Sequence, residues 1–313
     1  MFWLEELEQH LFRRVDEGTL THAVMLAGPP GMGKRSLAAS LLGRFLGTEL
    51  DPDAESPAQH HPDLHVVRPE EDKRQIAVDQ VRALTATLAL SAHGSRGKAA
   101  LIEPADSMTV AAANSLLKTL EEPTANSLLV LVVDGRGRLP ATILSRTTRY
   151  AVHPPARPAA VLWLAAQGLG EDDAMDSLAL ADGAPLRALE LAQGDGLALA
   201  RQIQDDVGSL LTGQRTPLEV AAQWRKLPHE DVLAALRRVT MGLVYARMSP
   251  KMSAASDFRR YVVDTRDAFC YLDGLNRLIA RLPGTYNPEL AIDAMAMPWG
   301  NRLAGARQGL TFG

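Results

Sequence analysis

The stretch from Gly28 to Ser36 limits the possible folds of this chain more than any other segment. It reads Gly-Pro-Pro-Gly-Met-Gly-Lys-Arg-Ser. The residues that fit the G-x-x-x-x-G-K-[ST] pattern of a phosphate-binding loop are Gly28, Gly31, Gly33 and Lys34. Such a loop needs a buried strand before it and a helix after it, because backbone N–H groups at the helix start surround the phosphate. The apolar run at 22–27 and the helical pattern at 35–47 supply both.

The position after the loop lysine departs from this pattern. A Ser or Thr hydroxyl there ligates the Mg²⁺ of a bound nucleotide, but this chain has Arg35. A guanidinium is a permanent cation with no lone pair to give a metal. Ser36 cannot substitute, because one residue along a helix turns the side chain by about 100°. The sequence therefore predicts a degenerate nucleotide site that requires no cofactor. Lys34 and the loop amides leave weak binding of ATP or ADP open, and Arg35 either contacts a phosphate or blocks the pocket.

Apolar strands alternate with helical patterns over the first half of the chain. We expect strands at 22–27, 64–68, 99–102 and 128–133, and helices at 4–16, 35–47, 76–90 and 106–120. Strands this apolar that alternate with helices indicate a parallel sheet covered on both faces. After Pro154 the strand signal fades, and the chain is helical with a Gly-Ala-Pro break at 183–185. The expected fold is therefore a parallel α/β core followed by helical regions.

Two strand ends lack the polar groups that a hydrolytic site of this kind needs. Glu103 and Pro104 follow the strand at 99–102, where a metal-side Asp and a catalytic Glu would be expected. Glu103 keeps the charge, although a solvated strand end explains it equally well, and Pro104 cannot act as a base. Asp106 is expected to cap the next helix. Val133 stands at the end of the following strand, where a polar residue would contact the γ-phosphate, so ATP hydrolysis by this chain is expected to be absent or very weak.

Composition excludes several classes of protein. The net charge of −4 over 313 residues argues against a free-standing nucleic-acid binder. The single cysteine, Cys270, excludes a disulfide framework and is expected to be a buried, inert thiol. His60, His61 and His65 are better explained by a turn before a strand than by a metal site. No apolar run reaches transmembrane length and the first 20 residues are acidic, so we expect a cytoplasmic protein without a membrane partner.

Several segments resemble the clamp-loader subunits of the AAA+ family. The segments that carry the resemblance are His22-Ala23, Gly28 to Lys34, His61-Pro62-Asp63, Ile76 to Arg82, Ala112 to Pro123 and Ser145-Arg146. Residues 112–123 read Ala-Ala-Asn-Ser-Leu-Leu-Lys-Thr-Leu-Glu-Glu-Pro, a highly specific match. The resemblance implies an AAA+ phosphate-loop core at 1–154, an all-α lid at 155–205 and an all-α collar for oligomerisation at 206–313. Asn287 to Leu290 is similar to the closing helix of the collar.

The resemblance also implies roles for particular residues. Ser145-Arg146-Thr147 is similar to the family's Ser-Arg-Cys, in which the arginine stabilises the γ-phosphate in a neighbouring subunit's site as a trans arginine finger. On chemistry alone, an ordinary surface arginine explains Arg146 equally well. Arg187 in the segment 183–189 resembles the second sensor arginine of the lid. Many family members carry a four-cysteine zinc module, whereas residues 48–60 contain no cysteine, so no zinc is expected.

As partners, the resemblance implies the motor (gamma/tau) and delta subunits of a heteropentamer, which together act on the sliding clamp and primed DNA. A motor subunit would have Ser or Thr after Lys34, an acidic pair after the strand at 99–102 and a polar residue at 133, so the sequence favours a non-motor subunit. The alternatives are an active motor or other phosphate-loop ATPase, a small-molecule kinase, and a pure scaffold without a finger. Arg82 and Arg96 are weak candidates for contacts with DNA phosphates.

Overall fold

The structure is a computed structural model, and it describes residues 1–51, 61–71, 73–90, 96–135, 139–248, 261–280 and 287–304. The chain divides into two compact units. The first consists of Met1–Leu164 and Ala181–Arg187, and the second of Ala165–Leu180 and Ala188–Gly313. This division does not test the boundaries expected near residues 154 and 205, which stay predictions.

The first unit contains a five-stranded sheet. The strands are β1 (Ala23–Ala27), β2 (Leu64–Val67), β3 (Lys98–Ile102), β4 (Ser127–Val133) and β5 (Thr148–Ala151). Their order across the sheet is β2-β3-β4-β1-β5, and every neighbouring pair is parallel. The predicted parallel sheet is thus confirmed. The strands β1 and β3 are buried along their whole length and β4 is buried except at its two ends, as the continuous apolar runs indicated.

The edge strand β5 was not predicted. Its residues, Thr-Arg-Tyr-Ala, alternate between half-buried and exposed, so they lack the apolar run that revealed the other strands.

Helices cover this sheet. They are α1 (Glu5–Asp16), α2 (Lys34–Leu46), α3 (Val78–Ala89), α4 (Val110–Glu121), α5 (Ala141–Leu144) and α6 (Arg157–Ala166), the last of which continues past the end of the first unit's main segment. On one face, alternate residues of β1 pack with α3 and α4 in a core that includes Met25, Leu84 and Leu116. The α/β fold follows from this arrangement.

The second unit is helical in its described residues. Its elements are α7 (Glu171–Leu180), α8 (Pro185–Gln193, with its first turn in the first unit), α9 (Gly196–Thr212), α10 (Pro217–Trp224), α11 (His229–Met248), α12 (Thr265–Ala280) and α13 (Pro288–Gly300). Asn287 caps α13 by accepting the backbone N–H of Glu289 at 3.0 Å. The expected break near 183–185 falls at the start of α8, after the left-handed Gly183.

Buried aromatic residues organise the core of the second unit. Trp224, Tyr271 and Trp299 are each fully buried. Tyr271 donates its hydroxyl to the Met295 carbonyl oxygen at 2.9 Å and accepts the Trp299 Nε1–H at 2.9 Å, and burial raises the pKa of Tyr271. Cys270 packs against this core but is only partly buried, so the expected burial of its thiol is confirmed in part.

Candidate functional site

The loop between β1 and α2 has the backbone of a phosphate-binding loop. Gly31 and Gly33 have φ angles of +77° and +79°, a left-handed conformation that side chains rarely adopt. Gly28 is required for space, because a Cβ there would lie 2.3 Å from the carbonyl oxygen of Val152. The loop therefore needs glycine at these three positions whether or not it binds a ligand.

Lys34, the first residue of α2, is bound by groups of its own chain. Its side chain is only 3% exposed. The ammonium donates to the carbonyl oxygens of Gly28 at 2.8 Å and Pro29 at 2.5 Å, and it lies 2.7 Å from Oδ1 of Asp134. A lysine ammonium has three N–H bonds, and three protein oxygens surround this one. Protein groups thus take the place that phosphate oxygens would take.

Arg35 and Glu103 occupy the positions that would flank a magnesium ion, and they bind each other. Arg35 Nε donates to Glu103 Oε1 at 2.9 Å, and Arg68 Nε donates to Oε2 at 3.2 Å. The Glu103 side chain is only 9% exposed, so its interpretation as a solvated strand end was wrong. Two guanidinium groups balance this carboxylate and offer no lone pair to a metal. The residues present do not fit Mg²⁺.

The strand order explains why these distant residues meet. Val133 lies opposite Ala27, and the Gly28 N–H donates to the Val133 carbonyl oxygen at 3.2 Å. Asp134, the next residue, therefore leaves the sheet beside the loop. Asp134 was not among the predicted site residues, which ended at Val133 on this strand. The available signal was an acidic residue directly after a buried strand.

Asp106 is not the N-cap of α4, contrary to expectation. The cap is Thr109, whose hydroxyl accepts the Ala112 N–H at 3.1 Å, so α4 starts later than residue 106. Asp106 lies in a short 3₁₀ turn after Pro104 and accepts the backbone N–H of Asp134 at 3.2 Å. It therefore holds the backbone that carries the partner of Lys34.

The first turn of α8 lies against the loop. The Leu186 N–H donates to the Gly31 carbonyl oxygen at 3.1 Å, and a Cβ at Gly31 would lie 2.6 Å from the backbone nitrogen of Arg187. On another side, Trp3 Nε1 donates to the Met32 carbonyl oxygen at 3.0 Å. The structure thus brings Arg187 to the loop, while the sensor role of its guanidinium stays a prediction.

Arg146 lies away from the loop, just beyond α5, with its side chain 35% exposed. Its Nη1 donates to the Thr142 carbonyl oxygen at 3.1 Å and to Ser145 Oγ at 3.2 Å. Its Nη2 is 2.6 Å from Oε1 of Glu121, the last residue of α4. Glu121 had been noted only as part of the resemblance segment, and its contact with Arg146 could not be read from the sequence.

Of the histidine candidates, the structure describes His61 and His65. Within the described residues no cluster of three or more His, Cys, Asp or Glu side chains could hold a metal ion. His61 Nδ1 accepts the Asp63 N–H at 3.1 Å, as in the expected turn. Burial, and then the charge of Lys98, lower the pKa of His65. His60 lies outside the described residues.

Arg82 and Arg96 have local surroundings that explain them without DNA. Arg82 Nη1 is 3.3 Å from Asp79 Oδ1 in an exposed pair. The Arg96 guanidinium lies over Gly47 at the C-terminal end of α2, where a cation is favourable. Contacts of either residue with DNA stay predictions.

Comparison with known proteins identifies the family. Residues 3–156 match the family model described as "DNA polymerase III, delta subunit". The chain is 36% identical to DNA polymerase III subunit delta' of Pseudomonas aeruginosa, over 72% of this chain and 71% of that protein. The delta' subunit of Haemophilus influenzae is 34% identical over 84% of this chain and 80% of that protein. The chain belongs to the delta' subunits of DNA polymerase III. This family is one of clamp-loader proteins that act in DNA replication, so the resemblance in the sequence is confirmed.

A solved structure supports the fold. The crystal structure of a DNA polymerase III gamma subunit-related protein from Thermotoga maritima superposes with a TM-score of 0.51 and 18% identity, covering 95% of this chain and 99% of that one. The AAA+ fold, an α/β core with added helical parts, is thus confirmed. None of the helices in the described part of the chain combines the length and apolar character needed to cross a membrane.

Proposed function

We propose that this delta' family chain is a largely non-hydrolysing clamp-loader subunit that supplies Arg146 to the ATP site of a neighbouring motor subunit. Its partners in this proposal are the gamma/tau motor and delta subunits of a heteropentamer. The complex loads the sliding clamp on primed DNA in the cytoplasm, and this chain contacts DNA only through phosphates.

The observation that carries the first half of the proposal is the charge pairing at the loop. Lys34 faces Asp134, and Arg35 faces Glu103, so the two cations at the start of α2 that could meet a triphosphate already have carboxylate partners. A phosphate that binds Lys34 must first displace the Asp134 carboxylate, and the Lys34 side chain is only 3% exposed. In this proposal the pocket hydrolyses no nucleotide, and the chain acts without a nucleotide, metal or zinc of its own.

The accessibility of Arg146 supports the second half. Its guanidinium is partly exposed and lies beyond the short helix α5, whose last residue Leu144 and C-cap Ser145 are also exposed. An arginine that acts in a neighbour's site must be reachable from outside its own chain. A guanidinium placed on the γ-phosphate of a neighbour contributes about 10³–10⁵ in rate in related phosphoryl-transfer systems.

The test is Arg146→Ala in the reconstituted clamp loader. We expect DNA-stimulated ATP turnover to fall by about 10³ at the site that this subunit completes. Arg149→Ala is the matched control, because Arg149 is an exposed arginine on β5 three residues further along. Unchanged turnover with Arg146→Ala would leave the chain as a scaffold without a finger.

A second measurement tests the inert pocket. The isolated chain is titrated with ATP and ADP, with and without Mg²⁺, and assayed for phosphate release. We expect no turnover. Robust Mg²⁺-dependent hydrolysis would instead support the alternative of an active motor ATPase.

A further inference from the structure

We propose that Glu121 is a positioning residue for Arg146, through which the last turn of α4 fixes the direction in which the guanidinium meets the neighbouring subunit's triphosphate. This inference rests on the proposed function and adds a residue to it.

The contacts of Arg146 come from two different elements. Both partners of Nη1, the Thr142 carbonyl oxygen and Ser145 Oγ, belong to the same turn as Arg146 itself. These bonds orient one edge of the guanidinium relative to α5 alone. Glu121 contacts Nη2 from the end of α4, which packs on α5. Because α4 is part of the core on the sheet, Glu121 ties the other edge of the guanidinium to the body of the unit.

Glu121 is an unfavourable residue type for its local position. It is the last residue of α4, where the negative end of the helix dipole repels a carboxylate, and another acid, Glu122, follows it. An ion pair with Arg146 compensates for this repulsion. Glu121 is therefore unfavourable for α4 itself, and a candidate functional residue compensates for it. A role at the site explains this glutamate more simply than helix stability does.

Anchoring the guanidinium before the subunits meet has a kinetic consequence. A free arginine side chain samples many rotamers and loses that freedom when it binds a phosphate. If Glu121 holds it in place, part of this loss occurs when the chain folds rather than during the reaction. Since both partners are partly exposed, the pair is weak, and we expect it to change the rate about two- to fivefold.

The first experiment measures DNA-stimulated ATP turnover by the reconstituted complex carrying Glu121→Ala. We expect kcat to fall about two- to fivefold with the KM for ATP unchanged, because the loss affects orientation rather than binding. Glu122→Ala is the matched control, because it removes the same charge one residue further along, and we expect no change. Glu121→Asp keeps the carboxylate and is expected to recover part of the rate. Size-exclusion chromatography verifies that each variant assembles.

A double-mutant cycle then tests whether Glu121 acts through Arg146. If it does, Glu121→Ala has no further effect on the residual turnover of the Arg146→Ala complex. Additive losses would overturn the inference, and so would a rise in turnover with Glu121→Ala, which would make Glu121 a competitor of the phosphate.

The outcomes separate this inference from the proposed function. If Arg146→Ala lowers turnover but Glu121→Ala equals its control, the finger stands and Glu121 is an ordinary surface partner. If Arg146→Ala itself changes nothing, the proposed function fails and this inference fails with it.

Discussion

Replacing Asp134 with asparagine removes the carboxylate that faces the Lys34 ammonium, with little change in side-chain volume. The lysine stays buried and keeps its two carbonyl partners. Removing one partner of a buried ion pair costs about 3–5 kcal/mol. Because the Asp134 side chain is 23% exposed, water screens part of the interaction. We therefore expect Asp134→Asn to lower the free energy of unfolding of the first unit by about 2–3 kcal/mol.

Thermal and urea denaturation of the purified chain measure this loss. In a unit of this size, it corresponds to a fall in Tm of about 4–12 °C. Asp79→Asn makes the same chemical change in an exposed pair with Arg82 in the same unit, and it should cost less than about 1 kcal/mol. If Asp134→Asn and Asp79→Asn were equally stable, the Lys34–Asp134 pair would not stabilise the loop more than an exposed pair does.

The same variant has a second expected property. With Asp134 neutral, Lys34 regains the ability to attract a phosphate, so ATP should stabilise Asp134→Asn more than it stabilises the parent chain. At a hundredfold excess over Kd, a ligand that binds only the folded state adds about 2.7 kcal/mol. A titration of Tm against ATP concentration, without Mg²⁺, measures the difference. Equal responses of variant and parent would show that the carboxylate does not exclude phosphate.

Three further changes test other parts of the structure by denaturation. Gly31→Ala should lower the free energy of unfolding by more than about 1 kcal/mol, and by more than Gly135→Ala does. Both glycines have a positive φ, but only at Gly31 would an added Cβ meet backbone atoms. Equal losses for the two variants would contradict this reason. The lowered pKa of His65 means that the folded state resists its protonation. The contribution of His65 to stability is therefore present above its unfolded pKa of 6.5, and it is lost as pH falls through the lower pKa of the folded state. His65→Gln should flatten the plot of unfolding free energy against pH. Trp224→Phe leaves the buried Asp206 without its 2.9 Å indole donor and should cost about 1–3 kcal/mol, whereas an unchanged midpoint would contradict that bond's importance.

The local pattern of the sequence was enough to predict the loop and most of the sheet. The glycines and Lys34 identified a phosphate-type loop, and apolar runs identified β1, β3 and β4 because central parallel strands are buried on both faces. The strand β2 was predicted too, although only its end residues are buried. The polar edge strand β5 lacks such a run and was missed. Helix starts were less certain, since Asp106 and Thr109 are both good capping residues and only tertiary contacts decide between them.

The ion pairs at the site could not be predicted in the same way. Lys34 and Asp134 are separated by 100 positions in the sequence, and they meet only because β4 lies beside β1. The strand order in a parallel sheet depends on crossovers, which periodicity does not reveal. Sequence chemistry singled out Arg35 and Glu103 as substituted positions. It did not show that each substitution supplies the other's partner.

The carboxylate that faces Lys34 is covalently part of the same molecule, which has a physiological consequence. A phosphate taken from solution leaves when its concentration drops, whereas a tethered acid keeps a constant effective concentration beside its lysine. We therefore expect the loop to keep the same conformation at low and at high phosphate concentration.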